Sequence, residues 1–272
     1  MGFRLRLALF LVATLVSIQL LTAVLVYAVT RGALIDEGER QLVVAARAFV
    51  RQLDDISERV ATNVQVLALD YALRAAIAQR DQGTVRSVLR NHGRRVGAER
   101  MLLIGLDGRI EADTSDVDAA SRTFPYPELL DNAYEARSAA VVALEGRAYW
   151  IVVVPVHAPQ PVGLIAAGIP IDAELLQRLQ SRSALPQELE LVVRAADGSW
   201  TPLAHGTGSV ELGGTLAAAH PELPEHPTLI VVDGREYVAL ATRLSGSPRQ
   251  QPIAAVLGYS LDEALAAYRP VG

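Results

Sequence analysis

LDGRIEADT, Leu106 to Thr114, carries a turn at Asp107-Gly108, and Asp197-Gly198 repeats that turn ninety positions later. The same offset relates Gly168 and Asp172, in GIPID, to Gly258 and Asp262, in GYSLD. Between these landmarks, EGRAYWIVVV (Glu145 to Val154) recurs as DGREYVALAT (Asp233 to Thr242), eighty-eight positions on. Three landmarks in one order at a nearly constant offset identify one supersecondary unit used twice in tandem. In the first copy, Met101 to Gly105 and Arg109 to Asp113 read as strands closed by the Asp-Gly turn. Glu128 to Ala136 reads as a helix. Ala139 to Leu144 and Arg147 to Val156 form a second hairpin around Glu145-Gly146, and Val162 to Ile169 is a fifth strand. The second copy supplies Leu189 to Ala195, the strand after Asp197-Gly198, a short helix at Thr215 to His220, then Thr228 to Val232, Glu236 to Arg243 and Ile253 to Tyr259. Asp172 to Arg182 is a helix joining the copies, with Asp172 as its N-cap; Asp262 is expected to cap the matching helix after copy two.

Upstream of the repeat, Arg4 and Arg6 precede an uncharged run from Leu7 to Thr30, in which Gln19 is the only strongly polar residue. A helix of that length spans about 36 Å, more than a hydrocarbon core of about 30 Å. A signal peptide has a shorter apolar region, so the run reads as an uncleaved membrane anchor. The positive-inside rule puts Arg4 and Arg6 in the cytoplasm and everything after residue 31 outside the inner membrane, in the periplasm or extracellular space. Residues 33 to 80 contain no proline, and apolar residues at Leu42, Ala46, Phe49, Leu53, Ile56, Val60 and Leu67 alternate in steps of four and three. This predicts one long helix leaving the membrane. Its seam serves either a parallel homodimer stalk or packing along the chain's own domains. Asp81 to Thr84 breaks it, and Thr84 is expected to cap a further helix running to about Val96. Arg86, Arg90 and Arg94 then lie on a solvated face.

Composition narrows the chemistry. The chain has 272 residues, 51% of them hydrophobic, a net charge of −5 and no cysteine. Disulfides, thiolate metal sites and a cysteine nucleophile are excluded. No basic patch suggests nucleic acid. There is no nucleophile elbow, HExxH or P-loop, so the chain is not expected to be an enzyme. His205, His220 and His226, with Glu222 and Glu225 in HPELPEHP, read as a proline-rich surface loop; neither a metal nor a cofactor is expected.

The post-anchor helix, the LDGRIEADT hairpin, the GRAYWIVVVPV strand (Gly146 to Val156) and the VGLIAAGIPID exit strand (Val162 to Asp172) together resemble the double Cache sensor domain, over roughly residues 31 to 270. The resemblance is to the sensors of bacterial histidine kinases and cyclic-di-GMP enzymes. It implies an α+β fold in which two tandem PAS-like modules with antiparallel sheets stack on a long helix. The expected order is a cytoplasmic tip and anchor (1–30), stalk helix (31–80), membrane-distal module (81–172), membrane-proximal module (173–262) and the start of an exit helix (263–272). It also implies binding of a small ligand in the distal module, with the signal passed through helices to a cytoplasmic output domain. The chain stops where a second span is expected, so it reads as a segment of a longer receptor.

Arg147 and Tyr149 recur as Arg235 and Tyr237, which argues for a structural role in both copies. Residues particular to copy one are the better ligand candidates. Arg122 suits a carboxylate or phosphate and Asp113 an amine, while Tyr126 and Trp150 could form apolar walls. His157 completes the set. A membrane-anchored module that binds another protein is the alternative.

Overall fold

A computed structural model describes residues 3–133, 138–208, 210–244 and 251–266. One helix, α1 (Phe3–Ala68), carries both the apolar run and the predicted stalk. Its 66 residues extend about 100 Å. The segment from Leu9 onward is long and apolar enough to cross a membrane, and Leu9 to Val29 are exposed. The helix was expected to reach residue 80 but ends at Ala68. The reason is local: the Asp70 carboxylate accepts from the N–H groups of Ala72 and Leu73, at 2.7 and 3.2 Å, and so starts a new helix, α2 (Tyr71–Ala78). The next helix, α3 (Gln82–Val96), is capped by Asp81 rather than Thr84. The Asp81 carboxylate accepts from both the Thr84 N–H (3.0 Å) and its hydroxyl (2.6 Å).

The repeat is visible among the described residues. The first module contains β1 (Arg100–Ile104), β2 (Ile110–Asp113), α4 (Pro127–Ala133), β3 (Ser138–Leu144), β4 (Arg147–His157) and β5 (Pro161–Pro170). Positions 134–136 of the expected crossover helix lie outside the described residues. After α5 (Ala173–Arg182), the second module contains β6 (Glu188–Arg194), β7 (Trp200–His205), α6 (Leu212–Ala219), β8 (Thr228–Val232), β9 (Arg235–Arg243) and β10 (Ile253–Ser260). The antiparallel sheets run β2-β1-β5-β4-β3 and β7-β6-β10-β9-β8, the same order twice. Even the irregularities match: the hairpin register shifts between Leu103 and Ile104 in one sheet and between Leu191 and Val192 in the other. Asp107 and Asp197 each accept from the N–H two residues on. Glu145-Gly146 and Asp233-Gly234 take positive φ at both positions, as two-residue hairpin turns require.

Asp172 caps α5 by accepting from the Leu175 N–H at 2.9 Å. Asp262 does not do the same for α7 (Leu261–Ala266); it lies within the first turn, and the Ser260 hydroxyl accepts from Glu263 instead. Positions 267–268 of the expected exit helix lie outside the described residues.

Each sheet turns one face to α1 and the other to its own crossover. Leu42, Ala46, Phe49, Leu53, Val60 and Leu67 are buried in a core shared with both sheets. The heptad seam is therefore used within the chain and is not free to form the core of a dimer stalk. The opposite faces form separate cores, one around Ile104, Phe124 and Val153, the other around Leu212, Tyr237 and Val256. Arg31 at the base of α1 makes a bidentate pair with Glu236 of β9, at 2.6 and 3.1 Å. The His92 ring meets the Asn63 carbonyl at 3.0 Å near the other end. The second module thus packs beside the apolar end of α1 and the first module beyond it.

Candidate ligand-binding site

The crossover face of the first sheet holds a small cavity of about 40 Å³. Its floor follows from strand alternation. Arg100 and Leu102 of β1, Ala166 and Gly168 of β5, and Tyr149 and Ile151 of β4 point to the same side. Phe124 and Tyr126, from the segment linking β2 to α4, close it from above and meet edge to face with ring centres 5.7 Å apart. The Tyr126 hydroxyl donates to the Ala143 carbonyl at 3.0 Å. Burial raises the Tyr126 phenol above its ordinary value, so it stays a neutral donor.

The cationic group of this cavity is Arg100. Its Nε and Nη2 donate to one Asp113 oxygen, at 3.0 and 2.6 Å, and the other Asp113 oxygen accepts from the Ser115 N–H. Asp113 is 1% exposed. Burial works against the Arg100 charge, but the hydrogen bond to Asp113 and the nearby carboxylates outweigh it, and its pKa is raised. Nη1 lies 3.6 Å from Glu145, whose side chain is 80% exposed. That outer nitrogen can therefore take another anion in place of a solvated glutamate.

The five residues singled out from the sequence separate. Asp113 and Tyr126 belong to this site, Asp113 by orienting Arg100. Arg122 does not line the cavity; it lies outside on the same segment, paired with Asp116 at 2.9 Å. Trp150 points to the other face of the sheet and packs in the core shared with α1, with its Nε1 buried and unpartnered. His157 is exposed at the irregular end of β4, opposite Pro161. Tyr149, which the repeat marked as framework, is in the cavity wall. Arg147 is not; it pairs with Glu99 at 2.8 and 2.9 Å. Arg100 was not recognised from sequence, although a charged residue in phase with Leu102 and Ile104 was the available signal.

The second module differs over the same strands: its crossover face has a wider cavity of about 650 Å³, displaced toward Val232, Asp233 and Tyr237 and the start of α6. Arg100 pairs in register with Gly168, and Glu188 with Gly258, so Glu188 stands where Arg100 does. By the same register, Glu190 replaces Leu102 and His205 replaces Asp113. A side-chain carbon added at Gly258 would meet Leu212 of α6 at 2.3 Å, whereas at Gly168 its nearest neighbours are at 3.5 to 3.7 Å. Leu212 thus covers the strand glycine of the second module, where that of the first lines the cavity. Glu190 is 2% exposed and accepts from the Gly213 N–H at 2.8 Å. Burial raises its pKa against the pull of that hydrogen bond and of His205. Glu222 and Glu225 of the histidine-containing loop pair with Arg194 and Arg243.

A sequence profile described as the double sensory domain of two-component sensor kinases matches residues 37–242. No curated protein matches the chain by sequence. Among solved structures, the sensor domain of the Vibrio cholerae histidine kinase DctB is 15% identical, with a TM-score of 0.50 over 84% of this chain and 98% of that one. The periplasmic domain of Vibrio cholerae LuxQ is also 15% identical, with a TM-score of 0.51 over 80% and 99%. A domain of a putative sensory box/GGDEF family protein from Vibrio parahaemolyticus is 11% identical, with a TM-score of 0.52 over 84% and 98%. These three likenesses are of fold. With the profile spanning most of the chain and the duplicated sheets stacked on one helix, the protein belongs to the double Cache family of sensory domains.

Proposed function

We propose that this chain is the extracytoplasmic ligand-sensing part of a transmembrane receptor, and that its first module binds a small ligand with an apolar body and one anionic group. The reading rests on the difference between the modules: an apolar hollow with an arginine at its rim in one, and Leu212 in the same place in the other. The cavity is smaller than the roughly 300–1,000 Å³ of ordinary ligand sites. Ligand entry therefore requires the segment 114–126 to move outward. That segment is bound to β2 by backbone hydrogen bonds from Ile110 and Ser121. Its displacement is the event a receptor could transmit. The first module is membrane-distal in this reading, because Arg31 holds the second module next to the anchor.

Thermal unfolding of the full chain in nanodiscs, screened against short aliphatic and aromatic carboxylates, tests this. One compound class should stabilise it. Arg100→Gln combined with Asp113→Asn should weaken that compound roughly tenfold to a hundredfold, the loss of a charge-assisted hydrogen bond. The double change leaves no buried carboxylate unpaired. Gly168→Leu should abolish binding by filling the hollow. If no small molecule stabilises the chain, the alternative of a protein-binding anchored module is favoured; stabilisation unaffected by either variant contradicts the site.

A further inference from the structure

Val231 and Leu229 are large apolar residues left bare on β8, 56% and 42% exposed. Alternation puts them on the α1 side of the sheet, because Ile230 and Val232 lie in the core on the crossover side. The repeat shows that this bareness belongs to one copy. Leu144 pairs with Arg147 and Val232 with Arg235, so Val231 stands where Ala143 does and Leu229 where Val141 does. Val141 is 0% exposed, and Ala143 packs against the core shared with α1. The second module therefore has larger apolar side chains at these two places and leaves them uncovered. Its arginine is released as well. In the first module Arg147 is held by Glu99. Glu188 stands where Arg100 does, so Gln187 takes the place of Glu99. Arg235 is exposed and has no ion-pair partner among the described residues.

The height of this edge identifies what covers it. Val231 lies opposite Glu236, which holds Arg31. Two residues further along β9, Val238 lies opposite Tyr259, whose ring rests on Gly38. β9 thus climbs α1 away from the apolar run, and the Asp233-Gly234 turn and Arg235 are at its lower end. The apolar run measures about 36 Å against a hydrocarbon core of about 30 Å, and headgroups add about 5–7 Å on each side. Tyr27 to Thr30, and Arg31 beyond them, therefore fall at headgroup depth, and Val231 falls with them. Leu229 is about 7 Å higher.

We propose that the β8–β9 hairpin seats on the outer leaflet of the bilayer. Val231 enters the headgroup layer, Leu229 lies at its upper edge, and the planar fork of Arg235 takes a lipid phosphate. Bare apolar residues beside a membrane anchor are covered by lipid in this way. The inference rests on the reading of Leu7 to Thr30 as a membrane span. The contact sets the height of the second module, so a shift of α1 along the membrane normal also lifts or lowers the hairpin in the headgroup layer.

The chain has no cysteine, so one introduced cysteine carries a nitroxide label at a single known place. The full chain in phosphatidylcholine nanodiscs is labelled in turn at Leu21→Cys, Val231→Cys, Leu229→Cys and Val44→Cys. Power-saturation EPR then reads the access of oxygen and of a neutral nickel chelate to each label. Leu21 reports the anchor; Val44, 64% exposed and about 20 Å above Arg31, reports water. The oxygen-to-nickel ratio should be highest at position 21, several-fold above Val44 at 231, and intermediate at 229. Arg235→Gln should lower the ratio at 231 toward that of Val44. A water-like ratio at 231 beside a high ratio at 21 overturns the proposal and leaves the span standing. A water-like ratio at 21 overturns the span and the proposal together. Low access of both reagents at 231 overturns it in favour of cover by protein, such as a second copy. A ratio at 231 indifferent to Arg235→Gln overturns the phosphate contact.

Discussion

Gly168 and Gly258 hold equivalent places on β5 and β10 but not equivalent surroundings, and substitution should expose the difference. Gly168→Ala puts a methyl group in ordinary contact and removes glycine's extra unfolded-state freedom, so stability should be unchanged or rise by about 0.5 kcal/mol. Gly258→Ala drives a methyl into Leu212, which is 0% exposed, and should cost about 1–3 kcal/mol. Denaturant unfolding of the two variants against wild type decides it. Glu190 makes a pH prediction. Its folded pKa lies above the ordinary 4.5, so the folded state holds the proton more tightly than the unfolded one. Stability from this group is present at low pH and is lost as pH rises through the interval above 4.5. Glu190→Gln, which keeps an oxygen for the Gly213 N–H, should therefore be more stable than wild type at neutral pH. The two proteins should converge near pH 4, and a constant gap across the titration would contradict the assignment.

At the scale of elements, α1 is the spine of the molecule, and its energetics lie in the seam. Phe49, 0% exposed, touches the core shared with both sheets; Phe49→Ala should cost about 3–5 kcal/mol in denaturant unfolding. Val44, on the outer side and 64% exposed, should tolerate alanine within about 0.5 kcal/mol. Asp70→Ala should cost about 1 kcal/mol by uncapping α2. The elements were legible in sequence because their determinants are local: paired turns at Asp107, Glu145, Asp197 and Asp233, alternating strands, and a four-three seam. The end of α1 was missed because an apolar pattern continues through Tyr71–Ala78, while Asp70 alone decides the break. The site was only half legible. Arg100 and Asp113 lie thirteen residues apart and meet only through the hairpin register and its shift at Leu103. Trp150 was grouped with Tyr126, though it lies on the other face of the sheet, because β4 is buried on both faces and its residues carry no polarity signal to distinguish Tyr149 from Trp150.

At the scale of the whole molecule, duplication has given one fold two different interiors. In the second module Leu212 covers Gly258, and Arg31 and Glu236 hold the module to α1; in the first the equivalent Gly168 lines a cavity beneath a segment that contains Ser121 at a left-handed φ of 72°. The division of labour we propose is sensing in the first module and relay in the second. Glu236→Gln should leave ligand affinity in the first module unchanged, within about twofold, while altering the exchange rate of amides at the base of α1. Hydrogen–deuterium exchange of the full chain, with and without the stabilising ligand, tests the division most directly. Ligand should slow exchange in residues 114–126 and along β1 and β5 and leave α6 and β8 unaffected in the first seconds. Protection that begins in α6 and β8, with none in 114–126, would contradict it.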